Sequence, residues 1–390
     1  MAVFLVLEGL TGSLLAFREP LERLLAPQFF ATPSSQPPLS LAALARAAQA
    51  AAPEGEIGFF SVDSRQVVFH IHAAREEADA QARKLDYDRL FLDPWTGKEL
   101  GRRRDGDLSQ GLINLLPFVF HLHLDLLAGA AGTWILGIVA VAWTIDCFLG
   151  LFLTCPTTLA RFLRRWALAW KIKPRGGLVR LNFDLHRTQG LWLWPLLFVF
   201  AWSSVMFTLY EQVYEPVTSH LFDYRSDGEM YQALVHVRRS NHHPRLDWAA
   251  AQAAGERLMQ EIALRNHFAI GRPYGMAYLP DIGVYTYAVT SERNVQSSAW
   301  TTSLWVDANT GTLVDIDLPS GVHVGNTIST WLRALHFADL RDVLAYRILV
   351  CAAGVVVAIL SITGLYLWLK KHQARHFDLH RRLDAIARAH

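Results

Sequence analysis

Four histidines stand where long apolar runs begin: His121 and His123 open one, His186 opens the next and His336 precedes the last. An imidazole is costly inside lipid, so one at a membrane helix end faces a bundle interior as a polar partner or a metal ligand. Two neutral imidazoles facing each other across a helical bundle can fill both axial positions of a haem iron. Such an iron has no open position, so it passes electrons and does not bind oxygen. His121 and His123 are two residues apart. On a helix they point to nearly opposite sides, so only one of them can face a given haem. The remaining histidines, scattered outside these positions, read as ordinary headgroup or backbone partners.

The elements that must position these residues follow from hydropathy and charge. The chain has 390 residues, 52% hydrophobic and 18% charged, with mean hydropathy +0.18. It is too apolar for an ordinary globular protein and too polar for one buried wholly in lipid. A net charge of +2 and these long apolar runs give no footprint for nucleic acid. About 20 apolar residues cross a bilayer core, and the sequence predicts spans at residues 1–20, 118–154, 186–210 and 331–371. Between them lie two modules of helix-plus-strand pattern, residues 26–117 and 211–330. A basic connection, residues 155–185, holds Arg161, Arg164, Arg165, Lys171, Lys173, Arg175 and Arg180 against Asp184. By the positive-inside rule this loop is cytoplasmic. The tail at 372–390, preceded by Lys370 and Lys371 and carrying Arg375, Arg381 and Arg382, agrees with it. Both termini are then expected in the cytoplasm and both modules outside.

The expected fold is therefore an α+β membrane protein with a four-helix membrane bundle, and it reads as internally duplicated. DPWTG at 93–97 matches DANTG at 307–311, and Leu122-His123 matches Leu335-His336 at nearly the same distance downstream. That alignment favours His123 over His121, which stays as the alternative. His123 and His336 are then expected to face each other near the outer leaflet. His186 stands at the inner start of the third span, so its counterpart is expected before Met1, as though the first helix were truncated.

Around these ligands the candidates are of other types. Arg187, Arg333 and Arg341 could pair with haem propionates, and arginines flanking spans are also ordinary anchors. Glu8 and Asp146 are acids inside apolar runs, fit either for proton relay or for polar packing. Cys147, Cys155 and Cys351 lie in or at the end of apolar segments, which suits small core residues better than a disulfide framework or a thiolate cluster. GRPYG at 271–275 lacks a strand-to-helix setting for nucleotide binding. Without such a fingerprint the chain cannot itself oxidise NAD(P)H, and its electrons must come from a separate cytoplasmic or membrane donor.

Several of these stretches together resemble a known family. LTG at 10–12, HRxxG at 186–190, the two D-x-x-T-G turns, the two Leu-His entrances and SITGLYLW at 361–368 are similar to the PepSY-associated transmembrane family of bacteria. The resemblance implies PepSY-like periplasmic modules on an inner-membrane bundle. Through ferric-siderophore reductases it also implies two b-type haems that carry electrons to a periplasmic ferric siderophore and release Fe(II). By position His123 and His336 match the periplasmic ligands and His186 a cytoplasmic one, the other cytoplasmic ligand being absent. The competing reading is a PepSY membrane protein without enzymatic activity that binds a protease, peptide or signalling partner.

Overall fold

The apolar runs fold as helices, and the alternating ones as strands. The computed structural model describes residues 1–73, 85–173, 177–238, 240–297, 301–340 and 343–387. The chain opens with α1 (Ala2–Leu15), α2 (Arg18–Leu25) and α3 (Leu41–Ala51). Strands β1 (Gly55–Val62), β2 (Val67–Ala73), β3 (Arg89–Leu92) and β4 (Glu99–Arg103) follow. Next come α4 (Leu115–Asp125), α5 (Ala130–Thr154), the short α6 (Phe162–Trp166), α7 (Leu178–Trp192) and α8 (Trp194–Thr208). The chain then forms α9 (Glu215–Leu221), α10 (Asp227–Val237) and α11 (Trp248–Arg265). Four more strands are β5 (Ile270–Leu279), β6 (Val284–Ser291), β7 (Thr302–Asp307) and β8 (Leu313–Asp317). Two helices close it, α12 (Val324–His336) and α13 (Leu344–Ala387). The chain divides into two compact units.

One unit is Phe17–His121 with Glu215–Val343. Its strands make a single antiparallel sheet in the order β4-β3-β2-β1-β5-β6-β7-β8. The two modules expected from the sequence thus share one sheet. Period-two patterning sets its inner face: Val67, Phe69 and Ile71 of β2 and Leu304 and Val306 of β7 are buried. They pack with Leu41 and Leu44 of α3 and Leu258 and Met259 of α11 in one core. The Ser40 hydroxyl caps α3 by accepting from the Ala43 N–H, and Asp247 caps α11 by accepting from the Ala250 N–H.

The sheet's centre is the pairing of β1 with β5, through Phe59–Ala277, Phe60–Met276 and Ser61–Gly275. A Cβ at Gly275 would fall 2.2 Å from the Phe60 carbonyl oxygen, so only glycine admits that approach. GRPYG is therefore part of a strand, bulged where Pro273 stands. The two D-x-x-T-G turns share one geometry. Asp93 Oδ1 accepts from the N–H groups of Trp95 at 2.8 Å and Thr96 at 3.1 Å. Asp307 Oδ1 accepts from Asn309 at 2.9 Å and Thr310 at 2.8 Å. Gly97 and Gly311 end the turns at φ 69° and 70°, in the left-handed region that glycine enters without a Cβ clash.

The other unit gathers Met1–Ala16, Leu122–Tyr214 and the chain from Leu344. Its helices α5 and α13 are long and apolar enough to cross a membrane. Their outward side chains have no protein to meet, with Ile138 63% and Leu153 81% exposed, as lipid-facing residues are. α7 and α8 qualify as a third span only when taken together, because they are bent by 72° at their junction. Pro195, in the first turn of α8, lacks an N–H and so interrupts the ladder there. α1 is a shorter apolar helix of 14 residues, about 21 Å of rise.

The helix running unbroken over 331–371, expected from the sequence, is instead two helices: α12 ends at His336 and α13 begins at Leu344, with Ala338 between them at φ 54°. The run at 118–154 is divided likewise into α4 and α5. Leu126 and Leu127 turn there at φ 56° and 57°, and the Asp125 carboxylate accepts the Leu127 N–H at 3.0 Å. Apolar side chains continue through the first break, so hydropathy alone does not mark it; the second is followed by the charged stretch Asp339, Arg341 and Asp342.

α1 and α13 lie closest. A Cβ at Gly9 would stand 2.5 Å from the Gly354 carbonyl oxygen, and Ser13 Oγ is 2.7 Å from the Gly9 carbonyl and 2.8 Å from that of Cys351. Small residues let two membrane helices touch backbone to backbone in this way. Ser13 meets Cys351 and Gly9 meets Gly354, so the helices run antiparallel.

Candidate functional site

Within the membrane unit, two histidines are each held by a threonine on a neighbouring helix. His123, in the last turn of α4, has Nδ1 2.8 Å from Thr11 Oγ1 and 2.9 Å from Glu8 Oε2. The Thr11 hydroxyl already donates to the Leu7 carbonyl at 2.8 Å, one turn back as helical threonines do. Its oxygen, like the carboxylate, is left to accept. The proton of His123 is therefore on Nδ1, and the ring's lone pair is on Nε2. Glu8 Oε1 is buried with no hydrogen-bond partner.

His186, in the middle of α7, has Nδ1 3.3 Å from Thr363 Oγ1 of α13. Thr363 in turn donates to the carbonyls of Ile359 at 2.8 Å and Leu360 at 3.1 Å. With its proton so committed, the Thr363 hydroxyl is left to accept, so this ring too carries its proton on Nδ1 and its lone pair on the other nitrogen.

A glycine follows each threonine and faces the same ring. A Cβ at Gly12 would come 3.2 Å from His123 Cε1, and one at Gly364 would come 3.1 Å from His186 Cε1. Both are tighter than side chains normally tolerate, so each imidazole lies on bare backbone. The two positions are well separated along the α1–α13 pair. Ser13 lies level with Cys351, so Thr11 is level with about residue 353, and Thr363 is ten residues further, roughly 15 Å at 1.5 Å per residue.

His186 also lines a cavity of about 450 Å³ whose walls include Leu5, Trp143, Asp146, Leu191 and Val357. Asp146, singled out in the sequence as an acid inside an apolar run, is thus beside His186. Glu8, the other such acid, is on His123. Arg187 lines the same cavity, and its guanidinium holds the basic connection to α7. It donates to the carbonyls of Ala169 at 2.9 Å and Lys171 at 3.2 Å, and pairs with the buried Asp184 at 3.0 Å. Arg180 and the Lys173 N–H reach the same carboxylate.

The remaining candidates belong to the sheet unit. His121 has Nε2 3.6 Å from Asp105 Oδ2, and Gly106 lies beside its ring. The two-residue spacing thus sends His121 and His123 to different surroundings. His336 is the last residue of α12, its ring edge-on to Phe337 at 5.9 Å. Arg333 stands one turn before it, and Arg341 lies outside the described residues. Among the described residues no three His, Cys, Asp or Glu side chains gather as they would around a bare metal ion.

The family described as the PepSY-associated TM region matches residues 1–371. The chain belongs to that family. No curated protein matches it. In this PepSY-associated membrane protein, LTG and the ITG within SITGLYLW are the two pieces that touch the histidines. Sequence reasoning used both as marks of resemblance and assigned neither any chemistry. The signal was present in their repetition, since a threonine followed by glycine in an apolar helix supplies one acceptor and one gap.

Proposed function

We propose that this protein is a di-haem electron carrier of the bacterial inner membrane that reduces periplasmic ferric siderophore and so releases Fe(II). The observation that carries the reading is the pair of imidazoles at separate levels of an apolar helix bundle, each with Nδ1 occupied and its lone pair on Nε2. Iron-binding histidines have this form, the second nitrogen being held by a hydrogen bond that fixes ring and tautomer. His123, His186 and His336 are the proposed iron ligands, with His121 as the alternative to His123. The residues fit the group: the cavity beside His186 has the volume of a small-molecule pocket and mostly apolar walls. A b-type haem, when bound, supplies one-electron chemistry. The chain's own part is to present Nε2, to keep water from the ring and, through Arg187 and Arg341, to offer cations to propionates.

The internal duplication and the four spans belong to this reading. The strand order, with β4-β3-β2-β1 and β5-β6-β7-β8 meeting at β1 and β5, supports the duplication, as do the matched turns at Asp93 and Asp307. Because all eight strands form one sheet, the chain between β4 and β5 must cross the bilayer an even number of times. α5 supplies one crossing and the bent α7–α8 pair the return. The basic connection at 155–185 supports a cytoplasmic location between them and, with it, a periplasmic side for the sheet. One electron weakens a ferric siderophore because its hard oxygen ligands hold Fe(III) more tightly than Fe(II). The donor is a separate protein or membrane carrier.

The experiment is the absorption spectrum of the full chain purified from haem-replete cells. A Soret band, with sharpened visible bands on reduction and a haem count near two, is expected. No Soret band would overturn the reading in favour of a binding protein for a protease, peptide or signalling partner.

A further inference from the structure

We propose that the two threonine-glycine pairs, Thr11-Gly12 and Thr363-Gly364, are matched seats that position His123 and His186 for iron ligation. The inference rests on the haem reading above and adds to it the residues that set the tautomer and depth of each ligand. They are positioning residues: they touch the imidazole and not the iron.

Two independent features recur at both seats. The first is electronic. Each threonine spends its hydroxyl proton on its own helix, Thr11 on Leu7 and Thr363 on Ile359 and Leu360, and can then only accept from Nδ1–H. A free hydroxyl would rotate and serve either tautomer; a committed one selects the tautomer with its lone pair on Nε2. The second is steric. Gly12 and Gly364 leave the space into which each Cε1 settles, and a methyl group there would displace the ring by a few tenths of an ångström. A threonine without the glycine would select a tautomer at the wrong depth. A glycine without the threonine would leave the ring free to turn about χ2. Helix packing alone requires neither pair, since the close approach of α1 and α13 is made by Gly9, Ser13 and Gly354. The seats differ in the Glu8 carboxylate, which lies 2.9 Å from Nδ1 at His123 as a second acceptor.

The test uses the full chain with Thr11→Val, Thr363→Val, Thr→Ser at each seat, and Gly12→Ala and Gly364→Ala. It reads the rate of haem loss to an apo-globin acceptor, the ferric EPR signal of each haem and the reduction potential. Partners of a metal-bound histidine typically matter by 10- to 100-fold in affinity. Each valine variant is expected to lose its own haem at least about tenfold faster, with serine restoring it and the other haem unchanged. Each alanine variant is expected to shift the EPR signal of its own haem. If a valine variant does not fold, the alanine variant at that seat decides by the same EPR readout. Wild-type haem loss and EPR signals in the valine and alanine variants would overturn the seats while leaving the haem reading intact. Absence of haem from the wild-type chain would overturn both.

Discussion

On the proposed haem reading the two seats are alike except for one carboxylate, and that difference predicts a difference in potential. Glu8 Oε2 lies 2.9 Å from His123 Nδ1, with the carboxylate side chain 19% exposed. Ferric iron withdraws more electron density from its imidazole than ferrous iron does, so Nδ1–H is the stronger donor in the oxidised state. A carboxylate acceptor therefore favours the ferric form. Hydrogen bonds to a charged group contribute about 1.5–3 kcal/mol and neutral ones about 0.5–1.5 kcal/mol. Replacing the charge with an amide of the same shape removes a difference of about 1 kcal/mol. For one electron a tenfold change, about 1.4 kcal/mol, corresponds to about 59 mV. Glu8→Gln is thus expected to raise the potential of the His123 haem by roughly 40 mV and to leave the His186 haem within a few millivolts of wild type. Spectroelectrochemical titration of the purified protein resolves the two steps. A fall in potential, no change, or an equal rise at both haems would refute the assignment of Glu8 to His123.

Other outcomes are accessible to the same protein. His186→Ala is expected to remove one haem by pyridine haemochrome count and leave the spectrum of the other unchanged. Gly9→Val places a side chain where 2.5 Å separates a Cβ from the Gly354 carbonyl, so a loss of about 1–3 kcal/mol or more is expected in thermal unfolding of the membrane unit. Asp93→Ala is expected to cost about 1 kcal/mol by uncapping its turn. Asp307→Ala should cost more. Burial pushes the Asp307 carboxyl up, but Arg238 and the N–H groups of Asn309 and Thr310 outweigh burial and hold it at about 2. Burial, with Arg89 second, pushes His70 of β2 from 6.5 down to about 4. The unfolded chain then binds the extra proton between these values. Stability of the sheet is expected to be full above pH 6.5 and to fall by up to about 3 kcal/mol towards pH 4, as read from hydrogen exchange of the β2 amides.

Much of this was legible from single residues. Strands β2 and β7 follow from alternation and the helices α3 and α11 from their composition and caps, and the D-x-x-T-G turns from aspartate, threonine and glycine at fixed offsets. β5 was not legible, because Gly271, Pro273 and Gly275 carry the marks of a loop; they are tolerated there by bulges and by the approach of the Phe60 backbone. The helix break at Leu126 and Leu127 was hidden because no proline or charged run follows it, whereas that at Ala338 had a signal in Asp339, Arg341 and Asp342. At the candidate site the histidines and Glu8 were visible as polar residues in apolar surroundings. Thr11 and Thr363 were not, since a threonine in a membrane helix satisfies itself on its own backbone and attracts no notice until a neighbouring ring is placed beside it.

The joint between β1 and β5 also sets an order of events during synthesis. Phe60 and Met276 pair across a separation of 216 residues. β1 to β4 are made first, and the inner edge of β1, with Phe59 and Phe60, then waits without its neighbour. The strand that covers it is translated only after the segments from α4 to α8 have been made. A nascent chain stalled before α11 would present that apolar edge to other chains, as unpaired strands do. Completion of the sheet therefore waits on synthesis of the middle helices, and its first half is the part of this protein most in need of a chaperone.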